Sequence, residues 1–173
     1  LSDTPITMTR NAAVLHARAI KSDVLIMVDS DTIADIHLNE IPGAKPFFQS
    51  SFDFLYNHYD IGPCAIGAPY CGPPPNECVY VFQWCIDEGD CPDDRFHLEM
   101  FRREDAAQRG GIEAVAALPT GLIMFDMRMF ELTEPKTKED KPWFYYEWKD
   151  KYAAEKCSTE DVTATRDMSL ACQ

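Results

Sequence analysis

The sequence predicts an α/β fold in which helices flank a mainly parallel central sheet. Segments with helical and with strand-like apolar patterns alternate along the chain, as they do when helices connect neighbouring strands. The run Val24–Val28 is short and continuously apolar, which is typical of a strand buried on both faces of a parallel sheet. With 173 residues the chain can bury a substantial core. We therefore expect one α/β domain over residues 1–173.

The first half of the chain predicts two helices and three strands. An alanine-rich segment favours a helix over about residues 8–21, and the strand Val24–Val28 follows it. The helical spacing of four aromatic residues and Leu55 predicts a helix over 47–59 that packs on the sheet. Two further strands are expected over 65–70 and 79–84, separated by a Pro- and Gly-rich loop.

The second half continues the alternation of helices and strands. A helical pattern ends at two consecutive glycines, which are frequent just past helix C-termini. The predicted elements are, in order, a helix over 98–109, a strand over 112–118, an apolar strand over 121–125, a short helix over 128–132 and a capped helix over 159–172.

The charge and the apolar pattern exclude several classes of function. The chain carries 16 Lys and Arg against 29 Asp and Glu, a net charge of −13, which disfavours broad binding to nucleic acid or anionic membranes. No apolar run approaches the roughly 20 residues of a membrane span, and the first residues do not resemble a signal peptide. We therefore expect a cytoplasmic protein that binds an anionic ligand only through a metal ion or a few placed cations.

The seven cysteines leave two alternatives open. Four of them are spaced seven residues apart, at Cys64, Cys71, Cys78 and Cys85, and zinc sites usually have closer pairs. The spacing disfavours structural zinc. One or two disulfides, or mostly buried free thiols, both fit the sequence.

Two carboxylates directly follow the predicted strand Val24–Val28, in the motif Asp29-Ser30-Asp31. Ligands of open α/β sheets bind at the carboxyl ends of the strands, and hard divalent cations prefer oxygen ligands. The motif therefore predicts a cation site that is shared with a phosphate-bearing substrate. The alternative is an ordinary surface turn.

A second acidic pair, Glu160-Asp161, stands at the predicted start of the last helix. Ser158 or Thr159 can cap this helix, and acids in a first turn favourably meet the helix dipole. The functional alternative is that one of the two carboxylates acts as a general base.

Two further positions are candidates for contact with a ligand. Gly121 in Thr120-Gly121 permits close approach of the backbone to a ligand, although it also suits a plain turn into a strand. Trp143 belongs to an aromatic cluster that fits either stacking on a sugar or packing in a core.

Taken together, these motifs resemble family-2-like glycosyltransferases of the GT-A fold. Members of that family have an Arg-Asn pair before an Asp-x-Asp motif, and then Thr-Gly, Pro-Trp-Phe and Glu-Asp motifs. This chain has Arg10-Asn11, Asp29-Ser30-Asp31, Thr120-Gly121, Pro142-Trp143-Phe144 and Glu160-Asp161 in that order. The resemblance implies a Rossmann-like GT-A domain with a nucleotide- and metal-binding half over about 1–70 and an acceptor half over about 110–173.

The resemblance also implies a nucleotide-binding and metal-binding site. Asp31 would be the direct ligand of Mn²⁺ or Mg²⁺, and Asp29 would reach the ribose, the metal or a metal-bound water. Arg10 would contact the nucleotide of a UDP- or GDP-sugar donor. On this view the metal neutralises the leaving diphosphate.

For the acceptor side, the resemblance implies that Asp161 is the general base and Glu160 its neighbour. Thr120, Gly121 and Trp143 would contact a hydroxyl acceptor, either a glycan or a small molecule. The function predicted in this way is metal-dependent transfer of a sugar from a nucleotide sugar to a hydroxyl group.

The chain also departs from this pattern, because it lacks the family's first strand and its C-terminal end. A catalytically incomplete carbohydrate-binding or assembly module is therefore an alternative. A sugar nucleotidylyltransferase is less favoured, because those enzymes carry a Gly-rich phosphate loop near the N-terminus and none is visible in this sequence.

Overall fold

The computed structural model describes residues 6–36, 38–40, 42–71, 78–84, 98–133, 143–150, 153–158 and 160–172. A 3₁₀ turn spans Leu38–Glu40. The other elements are α1 (Ile6–Ala19), β1 (Val24–Val28), α2 (Phe47–Asn57), β2 (Ala65–Gly67), β3 (Cys78–Trp84), β4 (Leu98–Arg102), α3 (Arg103–Ala107), β5 (Leu122–Asp126), α4 (Met129–Leu132), β6 (Glu147–Asp150), β7 (Ala153–Ser158) and α5 (Glu160–Ala171).

The chain divides into two compact units. The first comprises Leu1–Ala68 and Thr120–Glu134, and the second comprises Pro69–Pro119 and Pro135–Gln173. No helix in the described part of the chain is long and apolar enough to cross a membrane.

The first unit is built on a three-stranded sheet with the order β1-β5-β2. Both outer strands run antiparallel to β5, with Val28 opposite Leu122 and Gly67 opposite Ile123. Every residue of β5 is buried, because the strand lies between two neighbours and packs against α2. Burial of this apolar strand supplies much of the unit's core.

The prediction of a mainly parallel, Rossmann-like GT-A sheet is wrong. Each strand pair within the described residues is antiparallel, and β1 lies at the edge of its sheet, not at the centre. The strand Val24–Val28 itself is confirmed, but Ile26 and Val28 are 45% and 47% exposed. A short apolar run indicates a strand but not the direction in which the strand runs in the sheet. The fully buried strand of this sheet is β5.

Helix α1 is confirmed and buries a narrow face that includes Val14 and Ala17. Helix α2 is also confirmed and buries Ser51 and Leu55. At its start, the Asp35 carboxylate accepts the backbone N–H of Phe47 at 2.8 Å, satisfying one of the free N–H groups of the first turn.

The predicted burial of the aromatic face of α2 is wrong in part. Phe52 and Tyr56 are 54% and 75% exposed, and Phe48 is at the margin of exposure. The helical period was correct, and of the residues that it marks Leu55 is buried whereas the aromatic residues Phe52 and Tyr56 face solvent. The helix packs against β5.

The second unit contains the β3–β4 hairpin, helix α3, the β6–β7 hairpin and helix α5. Val79, Val81 and Phe101 form a small core on the β3–β4 hairpin. The predicted strand over 79–84 is confirmed as part of β3. The helix expected over 159–172 is confirmed as α5, and it is buried at almost every position from Val162 to Met168.

Two predictions in the second unit are wrong. The helix expected over 98–109 is strand β4 followed by the short helix α3, because pairing with β3 overrides the local helical preference. The strand expected over 112–118 is irregular, and within it only Ala117 makes an isolated bridge, to Phe82.

Candidate functional site

The Asp29-Ser30-Asp31 motif forms a tight turn at the end of β1. The backbone N–H of Thr32 donates to the carbonyl of Asp29 at 3.0 Å, which closes the turn. The Asp29 side chain is 39% exposed, and Ser30 and Asp31 are both exposed. The turn therefore presents two carboxylates to solvent at one end of the sheet.

The same end of the sheet holds the Thr120-Gly121 motif. The backbone N–H of Asp29 donates to the Gly121 carbonyl at 2.9 Å, which extends the β1·β5 ladder by one pair. On the other side of β5, the N–H of Ala68 donates to the Leu122 carbonyl at 2.9 Å. The start of β5 is thus held between the ends of β1 and β2, and two motifs far apart in sequence become neighbours.

Arg10 reaches this edge from α1. Its guanidinium Nη2 lies 3.2 Å from Oδ1 of Asp29, and the Arg10 side chain is only 9% exposed. The cation is buried because α1 packs beside β1. An ion pair of this kind fixes the orientation of Asp29 and partly neutralises it.

Asp31 is the more available of the two carboxylates. It is exposed, and it makes no ion pair or side-chain hydrogen bond with another described residue. Its two oxygens can therefore bind a cation without breaking a contact within the described residues.

The residues at this turn fit a magnesium- or manganese-type site that substrate oxygens complete. Such cations commonly take one or two carboxylates from the protein and the remaining ligands from phosphate and water. Within the described residues no group of three or more His, Cys, Asp or Glu side chains could hold a metal ion. The turn therefore suits a shared site and not a preformed metal centre.

Two of the three predicted acceptor contacts have buried side chains. Thr120 has no exposed surface and Trp143 is 5% exposed, while Gly121 is buried as well. In the described arrangement Gly121 acts through its carbonyl, which holds Asp29. Thr120 and Gly121 belong to the first unit, and Trp143 belongs to the second.

The predicted general base and its neighbour stand at the start of α5. Glu160 is the first residue of this helix and Asp161 the second, as the sequence predicts. Ser158 ends β7, and the alternative cap Thr159 lies outside the described residues, as do the side chains of Glu160 and Asp161. Both positions belong to the second unit.

Helix α5 is tied to its own unit by groups that the motif search did not single out. Oγ1 of Thr165 donates to the Leu118 carbonyl at 2.8 Å and accepts the Leu118 N–H at 2.9 Å. The fully buried Arg166 donates to Asp167, whose other oxygen accepts the hydroxyl of Tyr145 at 2.7 Å. No sequence period marks Thr165 and Asp167 as anchors, because their partners, Leu118 and Tyr145, lie far along the chain.

At the C-terminal end of β5 a second cation, Arg128, pairs with Asp126. Arg128 donates two nitrogens to the buried Asp126, and its guanidinium lies 3.8 Å above the Tyr59 ring. The hydrogen bond to Asp126 raises the pKa of Arg128 above its ordinary value, so this side chain stays charged. Arg128 therefore serves the packing of the first unit at the end of β5 opposite the Asp29 turn.

Comparisons of the chain with protein-family models, with curated proteins and with solved structures gave no match. The case for a function therefore rests on the residues of the Asp29 turn. The sequence singled out Arg10, Asp29, Asp31 and Gly121 separately, and the first unit brings them to one edge of a sheet.

Proposed function

We propose that this protein transfers a sugar from a nucleotide-sugar donor to a hydroxyl acceptor, using a divalent cation. The observation that carries the proposal is the hydrogen bond from the N–H of Asp29 to the carbonyl of Gly121. It joins the Asp-x-Asp motif, the expected donor side, to the Thr-Gly motif, the expected acceptor side.

The charges of the site support a diphosphate ligand only in the presence of a cation. A protein of net charge −13 repels a nucleoside diphosphate, and the nearest described cation, Arg10, is already paired with Asp29. When bound, Mn²⁺ or Mg²⁺ supplies charge neutralisation to the leaving diphosphate. Asp31 is the residue that would hold it, with Asp29 beside it.

The roles of the two carboxylates follow from their different surroundings. Asp31 is exposed and available for direct ligation, whereas Asp29 is oriented by Arg10 and by its own backbone bond to Gly121. Asp29 can therefore accept a hydroxyl of the ribose or a water while staying in place. Arg10 favours nucleotide binding by holding the Asp29 side chain in place.

The acceptor side of the proposal comes from the sequence. Asp161 as general base, with Glu160 as its neighbour, and Trp143 as an acceptor contact all stay predictions. A carboxylate suits the role because it is ionised at neutral pH and can take the proton of the attacking hydroxyl. The proposal does not draw on the predicted parallel sheet, which the strand pairing excludes.

Calorimetry with the whole chain tests the proposal. UDP, GDP and their sugar conjugates are titrated with and without Mn²⁺, and each mixture with a hydroxyl acceptor is then assayed for release of nucleoside diphosphate. We expect binding that requires the metal, followed by diphosphate release. Turnover of nucleoside triphosphates would favour a nucleotidylyltransferase, and failure of every nucleotide to bind would exclude both enzymes.

A further inference from the structure

The outer edge of β1, on the side away from β5, is open in the first unit. Hydrogen bonds at Asp23 and Asp29 show that the odd-numbered residues of this segment bond to the β5 side. Because the backbone groups of successive residues alternate in direction, the N–H and carbonyl groups of Val24, Ile26 and Val28 point to the outer edge. No other strand of the described residues pairs with this edge.

Within the described residues, only one of these outward groups makes a hydrogen bond. It is the Val24 carbonyl, which accepts the hydroxyl of Ser22 at 2.8 Å. The side chains of Ile26 and Val28 share one face of the sheet and are 45% and 47% exposed. The edge therefore presents both free backbone groups and apolar side chains to solvent.

β1 also lacks the features that usually protect an edge strand. Protected edge strands are very short, interrupted by a bulge, or marked by a charged residue or a proline. The other edge strand of this sheet, β2, has only the three residues Ala65–Gly67. In contrast, β1 has the five apolar residues Val24–Val28 in regular register with β5. An open apolar edge of this kind is a template for a further strand.

The β1 strand of a second copy of this chain matches the open edge. When two β1 strands pair antiparallel about Ile26, Ile26 stands opposite itself and Val24 stands opposite the partner's Val28. Each of these is then a hydrogen-bonded pair, so every outward N–H and carbonyl obtains a partner. The exposed side chains of the Ile26 face also meet across this seam between the two strands. The contact uses the same surface on both copies, as a two-fold dimer requires.

The charges at the two ends of β1 favour antiparallel pairing of two copies. The exposed cation Lys21 precedes the strand, and the exposed carboxylate Asp31 follows it. The two residues lie equally far from the centre of the strand, so antiparallel pairing brings the Lys21 end of each copy to the partner's Asp31 end. Asp23 then lies beside the partner's Asp29, whose charge Arg10 partly neutralises. Parallel pairing would bring like ends together.

We propose that β1 is a dimerisation strand, through which two copies of this chain join their three-stranded sheets into one continuous sheet. The proposal does not depend on nucleotide or metal binding at the Asp29 turn. Because the seam is short, we expect a weak dimer with a dissociation constant in the micromolar range. The net charge of −13 opposes association, and physiological salt screens this repulsion beyond about 8 Å.

Sedimentation velocity of the whole chain, in EDTA and physiological salt, tests the proposal from about 1 to about 300 μM protein. We expect a monomer at the lowest concentration and a dimer at the highest. Amide hydrogen exchange then locates the seam, because the N–H groups of Ile26 and Val28 should become protected as the dimer forms. A chain that stays monomeric, or a dimer that leaves these groups unprotected, would overturn the proposal. Protection of both groups in the monomer would also overturn it, since another segment of the same chain would then cover the edge.

Two variants separate the seam from overall charge. Ile26→Lys places two like charges opposite each other at the centre of the seam and should weaken the dimer by at least about tenfold. Ile61→Lys is the matched control, because Ile61 is 80% exposed in the same unit and lies outside β1. It should leave the dissociation constant within about twofold of the parent chain. Both positions are exposed, so the fold should be kept, which circular dichroism checks. A dimer that Ile26→Lys leaves unchanged, or that both variants weaken equally, would contradict the assignment to β1.

Discussion

The ion pair at the proposed site joins the side chain of Arg10 to the more exposed side chain of Asp29. The cation is nearly buried while the carboxylate is 39% exposed, so solvent screens their attraction less than it screens the attraction of a surface ion pair. The structure offers a close comparison in Lys45 and Asp53, which lie at the same 3.2 Å but are 60% and 47% exposed. The two ion pairs therefore have the same N···O distance and differ in how far their side chains are buried.

A double-mutant cycle on both pairs measures what burial contributes. Arg10→Met with Asp29→Asn should show a coupling free energy of about 1–2 kcal/mol in urea unfolding, because the remaining partner loses a charge-assisted hydrogen bond. Lys45→Met with Asp53→Asn should show less than about 0.5 kcal/mol. Equal coupling in the two cycles would mean that Arg10 does not fix Asp29.

Asp31 gives the sharpest test of metal binding at the turn. Asp31→Asn removes one negative charge and keeps the shape, and it should abolish Mn²⁺-dependent binding of nucleoside diphosphate in calorimetry. Stability should change by less than about 0.5 kcal/mol, because Asp31 is exposed and makes no ion pair or side-chain hydrogen bond with another described residue.

Asp60→Asn is the matched control for the Asp31 variant. Asp60 is an exposed acid of the same unit and does not lie in the Asp29 turn, so its loss changes net charge by the same amount. Binding should stay within about twofold of the parent chain. If both variants weaken binding equally, overall charge and not ligation by Asp31 is responsible.

At the scale of elements, α2 shows where a period can mislead. The aromatic residues at i, i+4 and i+8 mark one face, but that face is exposed, whereas Leu55 of the same helix is buried. Leu55→Ala should cost about 2–3 kcal/mol of unfolding free energy through the cavity it leaves. Phe52→Ala should change stability by less than about 1 kcal/mol, since a half-exposed ring is lost and alanine favours the helix.

Urea unfolding of both α2 variants decides between the two interpretations of this helix. The order of the two effects is the informative result, because Phe52 is the larger residue and would cost more if it were in the core. A larger loss of unfolding free energy for Phe52→Ala than for Leu55→Ala would show that the aromatic residues of α2 belong to the core.

The sequence predicted most elements of the first unit but not how they pair. Val24–Val28 was predicted with its bounds because five apolar residues between polar ones leave little choice. Its direction and edge position depend on β5, almost a hundred residues later, and no local pattern reports such a pairing. For the same reason β4 was mistaken for a helix, since its strand conformation comes from β3.

The candidate site was predictable as residues and not as an arrangement. Chemistry marks Asp29 and Asp31, since two carboxylates after an apolar run suit a cation. The pairing of Asp29 with Arg10 and its bond to Gly121 arise from packing between α1, β1 and β5.

The anchor between α5 and Leu118 is the contact of the second unit that a single substitution tests best. Thr165→Val keeps the shape but leaves the N–H and carbonyl of Leu118 without their partner, and should cost about 2–3 kcal/mol in urea unfolding. Thr165→Ser keeps the hydroxyl and should cost only about 1 kcal/mol, for the lost methyl group. A serine variant as unstable as the valine variant would show that the methyl group and not the hydroxyl stabilises the helix.

At the scale of the whole molecule, the excess of acids determines which ligands can approach. The net charge of −13 disfavours the approach of a diphosphate, and salt weakens this repulsion only beyond about 8–10 Å at physiological ionic strength. A site for such a ligand therefore needs a local positive charge that is not already neutralised. At the Asp29 turn the one described cation, Arg10, is committed to Asp29.

Removal of divalent cations should therefore abolish nucleotide binding altogether. With EDTA present, the affinity of the chain for UDP or GDP should fall by at least about a hundredfold, because a diphosphate then meets the carboxylate of Asp31 and the only partly neutralised carboxylate of Asp29. The measurement is calorimetry at two ionic strengths. Added salt should weaken the repulsion and restore only a small part of the lost affinity in EDTA. Binding that survives chelation undiminished would mean that Arg10 leaves Asp29 to hold the phosphate, and Arg10→Met would then abolish it.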